Sequence, residues 1–334
     1  MTFRQSICTS GAHRLDPGKD RDGAADGNRT VDLRTLPPDA RLPSRFPPKE
    51  LGCMKIIREP EEMQSHAEAW RKQGRRIALV PTMGYLHEGH ATLMREGRKR
   101  AESLVVSVFV NPTQFGPQED LRAYPRDFEG DCRRMEEEGV DVVFHPAEEG
   151  MYPEGHQTYV TVEEVTRNLC GLSRPTHFRG VATVVTKLFN IVKPHIALFG
   201  EKDFQQLVVI RRMVKDLSFD IEIVGCPIVR EPDGLAMSSR NKYLNAEERR
   251  EALAIKEALD RAQELYRKGE TTAQALVEEA SRILGTHPRI RTDYVSICDA
   301  STLRNVEKVH DHTIMAIAAF VGKTRLIDNC KFPA

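Results

Sequence analysis

Four short stretches of this 334-residue chain carry side chains able to act on a phosphate group. The first, Pro81-Thr82-Met83-Gly84-Tyr85-Leu86-His87-Glu88-Gly89-His90, joins an apolar strand pattern to a helical one. In an open parallel sheet the ligand crevice lies beyond the carboxyl ends of the strands, and a helix starting there offers unpaired N–H groups to an anion. Gly84 and Gly89 let the backbone come close to such a ligand. His87 and His90 are three apart at a helix start and project to the same side. Two imidazoles there can stabilise charge that develops in a transition state. The spacing is not that of a His-Glu-x-x-His zinc helix, because the second histidine falls one residue early.

The second stretch, Phe109-Val110-Asn111-Pro112-Thr113-Gln114-Phe115, also follows a strand pattern. Asn111 and Gln114 supply both donors and acceptors, which suits a hydroxy acid, although alone the stretch reads as an Asn-Pro turn. The third is Phe199-Gly200-Glu201-Lys202-Asp203-Phe204-Gln205-Gln206. Lys202 is a point charge for a phosphate, Asp203 a natural N-cap, and Gln206 points the same way as Asp203. The fourth, Met237-Ser238-Ser239-Arg240-Asn241, follows a Pro-Asp-Gly turn. Two hydroxyls beside a bidentate arginine can clamp a phosphate chain, at a domain boundary suited to a movable lid.

Elements able to bring these stretches together are readable from position 54 onward. Apolar strand patterns lie at 76–80, 104–110, 140–144, 196–199 and 221–224, with helical patterns at 90–102, 128–138, 181–192 and 204–216 between them. Buried Val/Ile/Leu strands alternating with amphipathic helices predict an α/β fold, a doubly wound, Rossmann-like parallel sheet over residues 54–228. Helical patterns at 246–268 and 272–284 then precede strands near 293–297, 313–320 and 324–328, which predicts a smaller α+β lid domain over 229–334. Residues 1–53 hold eleven prolines plus glycines and no apolar period, and read as a disordered extension. Their aspartates and lack of an apolar core argue against transit and secretory signals.

Composition excludes several classes. Lys plus Arg equals Asp plus Glu at 49 each, so no long-range field favours nucleic acid. No run of about 18 apolar residues exists to cross a membrane. Seven cysteines without a C-x-x-C pair fit reduced thiols in a cytoplasm better than disulfides or zinc. The P-loop, dinucleotide and nucleophile-elbow signatures are absent. A nucleotide held by His-x-Gly-His and a later Ser-Ser-Arg loop points to adenylyl transfer without a covalent enzyme intermediate. A dinucleotide-forming transferase and a non-enzymatic ATP-binding scaffold are the alternatives. Asn111, Gln114 and Gln206 speak against the first, and Lys202, His90 and Arg240 against the second.

From about Met54 to its end the chain resembles the pantothenate synthetase (pantoate–β-alanine ligase) family. The matching motifs are those at 81–90, 109–115 and 200–203, together with His-Phe-Arg-Gly-Val at 177–181 and Arg-Glu-Pro-Asp-Gly-Leu-Ala-Met-Ser-Ser-Arg-Asn at 230–241. The resemblance implies ATP-dependent joining of pantoate to β-alanine through pantoyl adenylate, with Mg2+ accompanying ATP, in a cytoplasmic homodimer. It implies that Met83, Gly84, Tyr85, Leu86, His87, Glu88, Gly89 and His90 line the ATP site, with His90 as proton donor. Gly200, Glu201, Lys202 and Asp203 would hold ATP, completed by Val229, Met237, Ser238, Ser239 and Arg240. Gln114 would bind pantoate and β-alanine, with Asn111 nearby; Gln206 would bind pantoate. Arg174 would lie at the β-alanine entry and Asp131 near the metal. Phe204 stands where the family usually has Tyr, and Thr176 where Gly is common.

Overall fold

Alternate residues of the central strands feed two different cores, and that division builds the layers. The computed structural model describes residues 54–117 and 119–332, so the extension expected at 1–53 lies outside the described residues. Strands β1 (Lys55–Ile57), β2 (Ile77–Thr82), β3 (Ser103–Val108), β4 (Val142–Phe144), β5 (Ile196–Gly200) and β6 (Glu222–Cys226) form one sheet in the order β1-β4-β3-β2-β5-β6. Every pairing in it is parallel. Its helices are α1 (Pro60–Lys72), α2 (Glu88–Arg100), α3 (Phe128–Glu137), the single turns α4 (Glu148–Met151) and α5 (Cys170–Ser173), then α6 (His177–Val192) and α7 (Phe204–Asp216). Ile77 and Leu79 of β2 pack in one core with α1, α6 and α7, while Ala78 and Val80 pack in the other with α2 and α3. Both sheet faces are covered, as the continuous apolar strands predict.

Several elements differ from the sequence reading. β1 and α1 were not anticipated: β1 buries only Ile57, and α1 buries Met63, Ala67 and Trp70 beneath a glutamate-rich outer face. α6 starts at His177, four residues early, because its first turn is built from a polar motif. In the C-terminal part, α8 (Ala246–Arg267) opens on a capping box between Asn245 and Glu248 and is followed by α9 (Ala273–Gly285). Both pack on an antiparallel sheet of β7 (Ile290–Asp299), β8 (Thr313–Val321) and β9 (Thr324–Lys331), with its own apolar core. β7 extends beyond the expected strand at its amino end, past a register shift between Thr292 and Tyr294.

Candidate active site

β2 lies between β3 and β5, and the chain leaves it on one side for β3 and β4 and on the other for β5 and β6. The carboxyl ends of β2 and β5 therefore flank a topological switch point, where such sheets hold ligands. Beyond β2 the backbone enters the left-handed region at Gly84 (φ +79°) and Tyr85 (φ +53°). A Cβ at Gly84 would sit 3.0 Å from Asp131 Oδ2, so this turn needs glycine for both its dihedral and its crowding. Asp131 accepts from the backbone N–H groups of Tyr85 at 2.8 Å and Leu86 at 2.6 Å. Both oxygens of this residue, which is 3% exposed, hold the turn in shape. Burial raises its pKa, against the pull of those two bonds.

The turn delivers the two histidines as a reciprocal cap of α2. His87 Nδ1 accepts from the Gly89 N–H, and His90 Nδ1 accepts from the His87 N–H, each at 3.2 Å. A nitrogen that accepts carries no proton, so each neutral ring has its hydrogen on Nε2. The ring centroids are 4.1 Å apart. Burial, then Lys202, pushes the His87 pKa down to about 4. Burial and His87 hold His90 well below its ordinary value. The pair thus presents neutral N–H donors, which suits charge developing on a phosphate.

After β3, Gln114 is aimed by its neighbours. Asn111 is 1% exposed. Its Oδ1 accepts from Tyr152 Oη at 2.8 Å and Thr113 Oγ1 at 2.9 Å. Its Nδ2 donates to Gln114 Oε1 at 3.0 Å and to the Gly180 carbonyl at 3.2 Å. Asn111 thus makes four hydrogen bonds within the protein, one of which orients Gln114 beside it on the cavity wall. With Oε1 occupied, Gln114 turns its Nε2 toward Met83 Sδ at 3.2 Å. Gly180 permits this layout, since a Cβ there would come within 2.4 Å of the Thr113 carbonyl.

After β5, Asp203 occupies the N-cap position of α7 without making a side-chain cap bond, and its carboxylate lies 4.0 Å from Lys202 Nζ. The Lys202 turn is pinned from the C-terminal sheet. Asn329 Nδ2 donates to the carbonyls of Glu201 at 2.9 Å and Lys202 at 3.0 Å, and Lys331 meets the Glu201 carboxylate at 2.7 Å. Asp328, one residue earlier, holds Arg230 through two bonds of 2.6 and 3.0 Å. Gln206 has no side-chain hydrogen bond among the described residues.

In the fourth stretch, Ser238 caps its own turn, and Ser239 Oγ donates to the Tyr85 carbonyl at 3.2 Å. Arg240 forms a two-bond pair with Asp120, both at 2.9 Å. Arg174 forms another with Glu119, at 2.7 and 2.5 Å. Neither carboxylate was singled out in the sequence, because both pairings span more than fifty residues.

One cavity of about 230 Å³ is lined by His87, His90, Gln114, Lys202, Gln206 and Arg240, with Met83, Asn111, Arg174, Val229, Met237 and both serines also on its wall. Gly89, Gly200 and Asp203 complete the expected set there. Gly84, Tyr85, Leu86, Glu88 and Glu201 do not line it. Glu88 pairs with Arg95, and Tyr85 lies under Lys242 Nζ at 4.2 Å. A wider cleft of about 1430 Å³ shares Arg174, His177, Lys202, Asp203, Gln206 and Arg240 with the small cavity. Ligand sites span about 300–1,000 Å³, so the small cavity and the adjoining cleft together offer room for a molecule of nucleotide size.

The family described as pantoate-beta-alanine ligase matches residues 55–331. The chain is 59% identical over 279 residues to the pantothenate synthetase of Syntrophus aciditrophicus, covering 84% of this chain and 98% of that protein. It is 58% identical over 276 residues to that of Desulfatibacillum aliphaticivorans, covering 83% and 98%. A crystal structure of the Thermus thermophilus pantothenate synthetase superposes with a TM-score of 0.80 at 43% identity, over 84% of this chain and all of that one. The Francisella tularensis pantoate-beta-alanine ligase, complexed with beta-gamma ATP and beta-alanine, gives 0.69 at 33% identity, over 84% and 98%.

Proposed function

As a member of the pantoate–β-alanine ligase family, the chain joins pantoate to β-alanine with ATP, and we propose that it does so through pantoyl adenylate. The observation that carries this reading is the gathering of His87, His90, Lys202, Arg240, Gln114 and Gln206 on one cavity wall. The pantoate carboxylate attacks the α-phosphate and pyrophosphate leaves. The β-alanine amine then attacks the acyl carbon and AMP leaves. The two Nε2–H groups, Lys202 and Arg240 stabilise phosphate charge, and the rest of catalysis is positioning. Gln114 and Gln206 hold pantoate. Arg174 receives the β-alanine carboxylate, while Asp203, Val229, Met237, Ser238 and Ser239 complete the nucleotide site.

Among the described residues no three metal-ligating side chains cluster, and Asp131 spends both oxygens on backbone N–H groups. Magnesium would accompany the nucleotide as MgATP, as the resemblance implies, since this hard cation favours phosphate oxygens. No helix among the described residues is long and apolar enough to cross a membrane. On the family membership, we assign the enzyme to the cytoplasm as a homodimer. Residues from 229 onward act as the lid, and residues 1–53 take no part in turnover. Deleting the latter should leave kcat and Tm unchanged, since the family match begins at 55; a lost melting transition would show otherwise.

The reading is tested by supplying ATP, pantoate and β-alanine and separating the nucleotide products. AMP with pyrophosphate is expected, and ADP would overturn the mechanism. Pyrophosphate release that needs pantoate separates this ligase from a dinucleotide-forming transferase.

A further inference from the structure

We propose that His177 is the base that takes the amine proton when β-alanine attacks the acyl adenylate, an assignment that rests on the ligase reading above. His177 begins α6 and lines both the small cavity and the cleft, where the two share a wall. Its Nδ1 lies 2.9 Å from the Gln114 carbonyl oxygen. A carbonyl can only accept, so Nδ1 carries the hydrogen and Nε2 keeps a lone pair. Among the described residues Nε2 has no hydrogen-bond partner, and it is not among the polar atoms sealed from solvent.

Three histidines line the small cavity, and their tautomers differ. His87 and His90 accept through Nδ1 and offer N–H donors, which suits phosphate oxygens and disqualifies them as proton acceptors. His177 has the reverse arrangement. The carbonyl that orients it also accepts from Arg174 Nη2 at 3.3 Å, and the His177 N–H donates to the Arg174 carbonyl at 3.1 Å. One peptide group thus fixes a guanidinium and an accepting nitrogen side by side, on the residue whose side-chain amide faces the small cavity. A β-amino acid presents the matching pair, a carboxylate at one end and an amine at the other.

In the step itself, the amine lone pair forms the C–N bond to the acyl carbon. The C–O bond to the phosphate breaks, and AMP departs with that electron pair. One N–H proton passes to Nε2 and from there to water. Nitrogen that has bonded to the acyl carbon is a far stronger acid than a free ammonium, so a neutral imidazole suffices as acceptor. Burial, then the Arg174 charge, pushes the His177 pKa down to about 4, which keeps the lone pair present at neutral pH.

His177→Asn tests this, because the asparagine amide can still donate to the Gln114 carbonyl while the Nε2 lone pair is gone. Pantoate-dependent ATP–pyrophosphate exchange, without β-alanine, reads the first half-reaction. Single-turnover transfer from preformed adenylate to β-alanine reads the second. Exchange should stay within about twofold of wild type while transfer slows about 100-fold, the scale of a lost general base. His177→Gln is read by the same two rates, so one poorly folding variant does not decide the matter. Unchanged transfer in both variants overturns the proposal, as does an equal fall of both half-reactions, which marks a packing role. Absence of exchange in the wild type would instead strike down the ligase reading.

Discussion

The histidine side of the cavity and its arginine side fix their functional groups by opposite means. At the first, His87 and His90 are held by peptide N–H groups and remain neutral, above a turn that Asp131 also holds through the backbone. At the second, Arg174 and Arg240 are held by the carboxylates of consecutive residues, Glu119 and Asp120. Donors fixed by the backbone meet an incoming anion unpaired and already oriented. Guanidinium groups fixed by carboxylates meet it with part of their hydrogen-bonding capacity already committed. The cavity thus combines a rigid half of neutral imidazoles with a charged half whose guanidinium groups already face carboxylates.

Substituting at the rigid half should have the largest effect. His90→Ala should slow pantoate-dependent ATP–pyrophosphate exchange about 100-fold or more, the magnitude of removing a preorganised transition-state donor. An unchanged exchange rate would remove the functional side of the contrast. Asp131→Ala leaves the Tyr85 and Leu86 N–H groups without acceptors and should cost about 2 kcal/mol in urea denaturation. Asp120→Asn, at a pair about a quarter exposed, should cost at most about 1 kcal/mol. Equal losses would mean that the two halves are held equally firmly.

The smallest effect sharpens the comparison through pH. The folded state holds His87, His90 and His177 below the ordinary value of 6.5. The unfolded chain therefore binds protons first, so this stability is complete above about pH 6.5 and is lost as pH falls toward 4. Tm should drop between about pH 7 and pH 5, and drop less in His177→Asn. Parallel curves for the two proteins would show that His177 is not held as a neutral imidazole.

The sheet was legible because apolar runs interrupted by amphipathic helices have one stable arrangement, and the helix over 204–216 matches α7. That His87, His90, Gln114, Lys202 and Gln206 share one cavity was legible because their motifs end strands that share a sheet edge. What eluded the sequence was the supporting hydrogen bonding. Nothing in the composition of residues 81–90 distinguishes a histidine that binds a ligand from one that also caps its own helix. Asn111 has the polarity of a ligand contact, and only its burial against Gly180 and Tyr152 reveals that it serves Gln114. Asp203 has the sequence position of a cap, yet its carboxylate makes no such bond. His177 lies within a quoted motif, but its role depends on which ring nitrogen meets a carbonyl more than sixty residues away in sequence.

The amide of Asn329, in the ninth strand, grips the two carbonyls that shape the Lys202 turn at the end of the fifth. Loss of that last strand, or of the Asn329 amide alone, would free both carbonyls and leave the lysine turn unsecured. The shape of that turn is therefore set by a residue more than a hundred positions downstream, and it is complete only when the antiparallel sheet has formed.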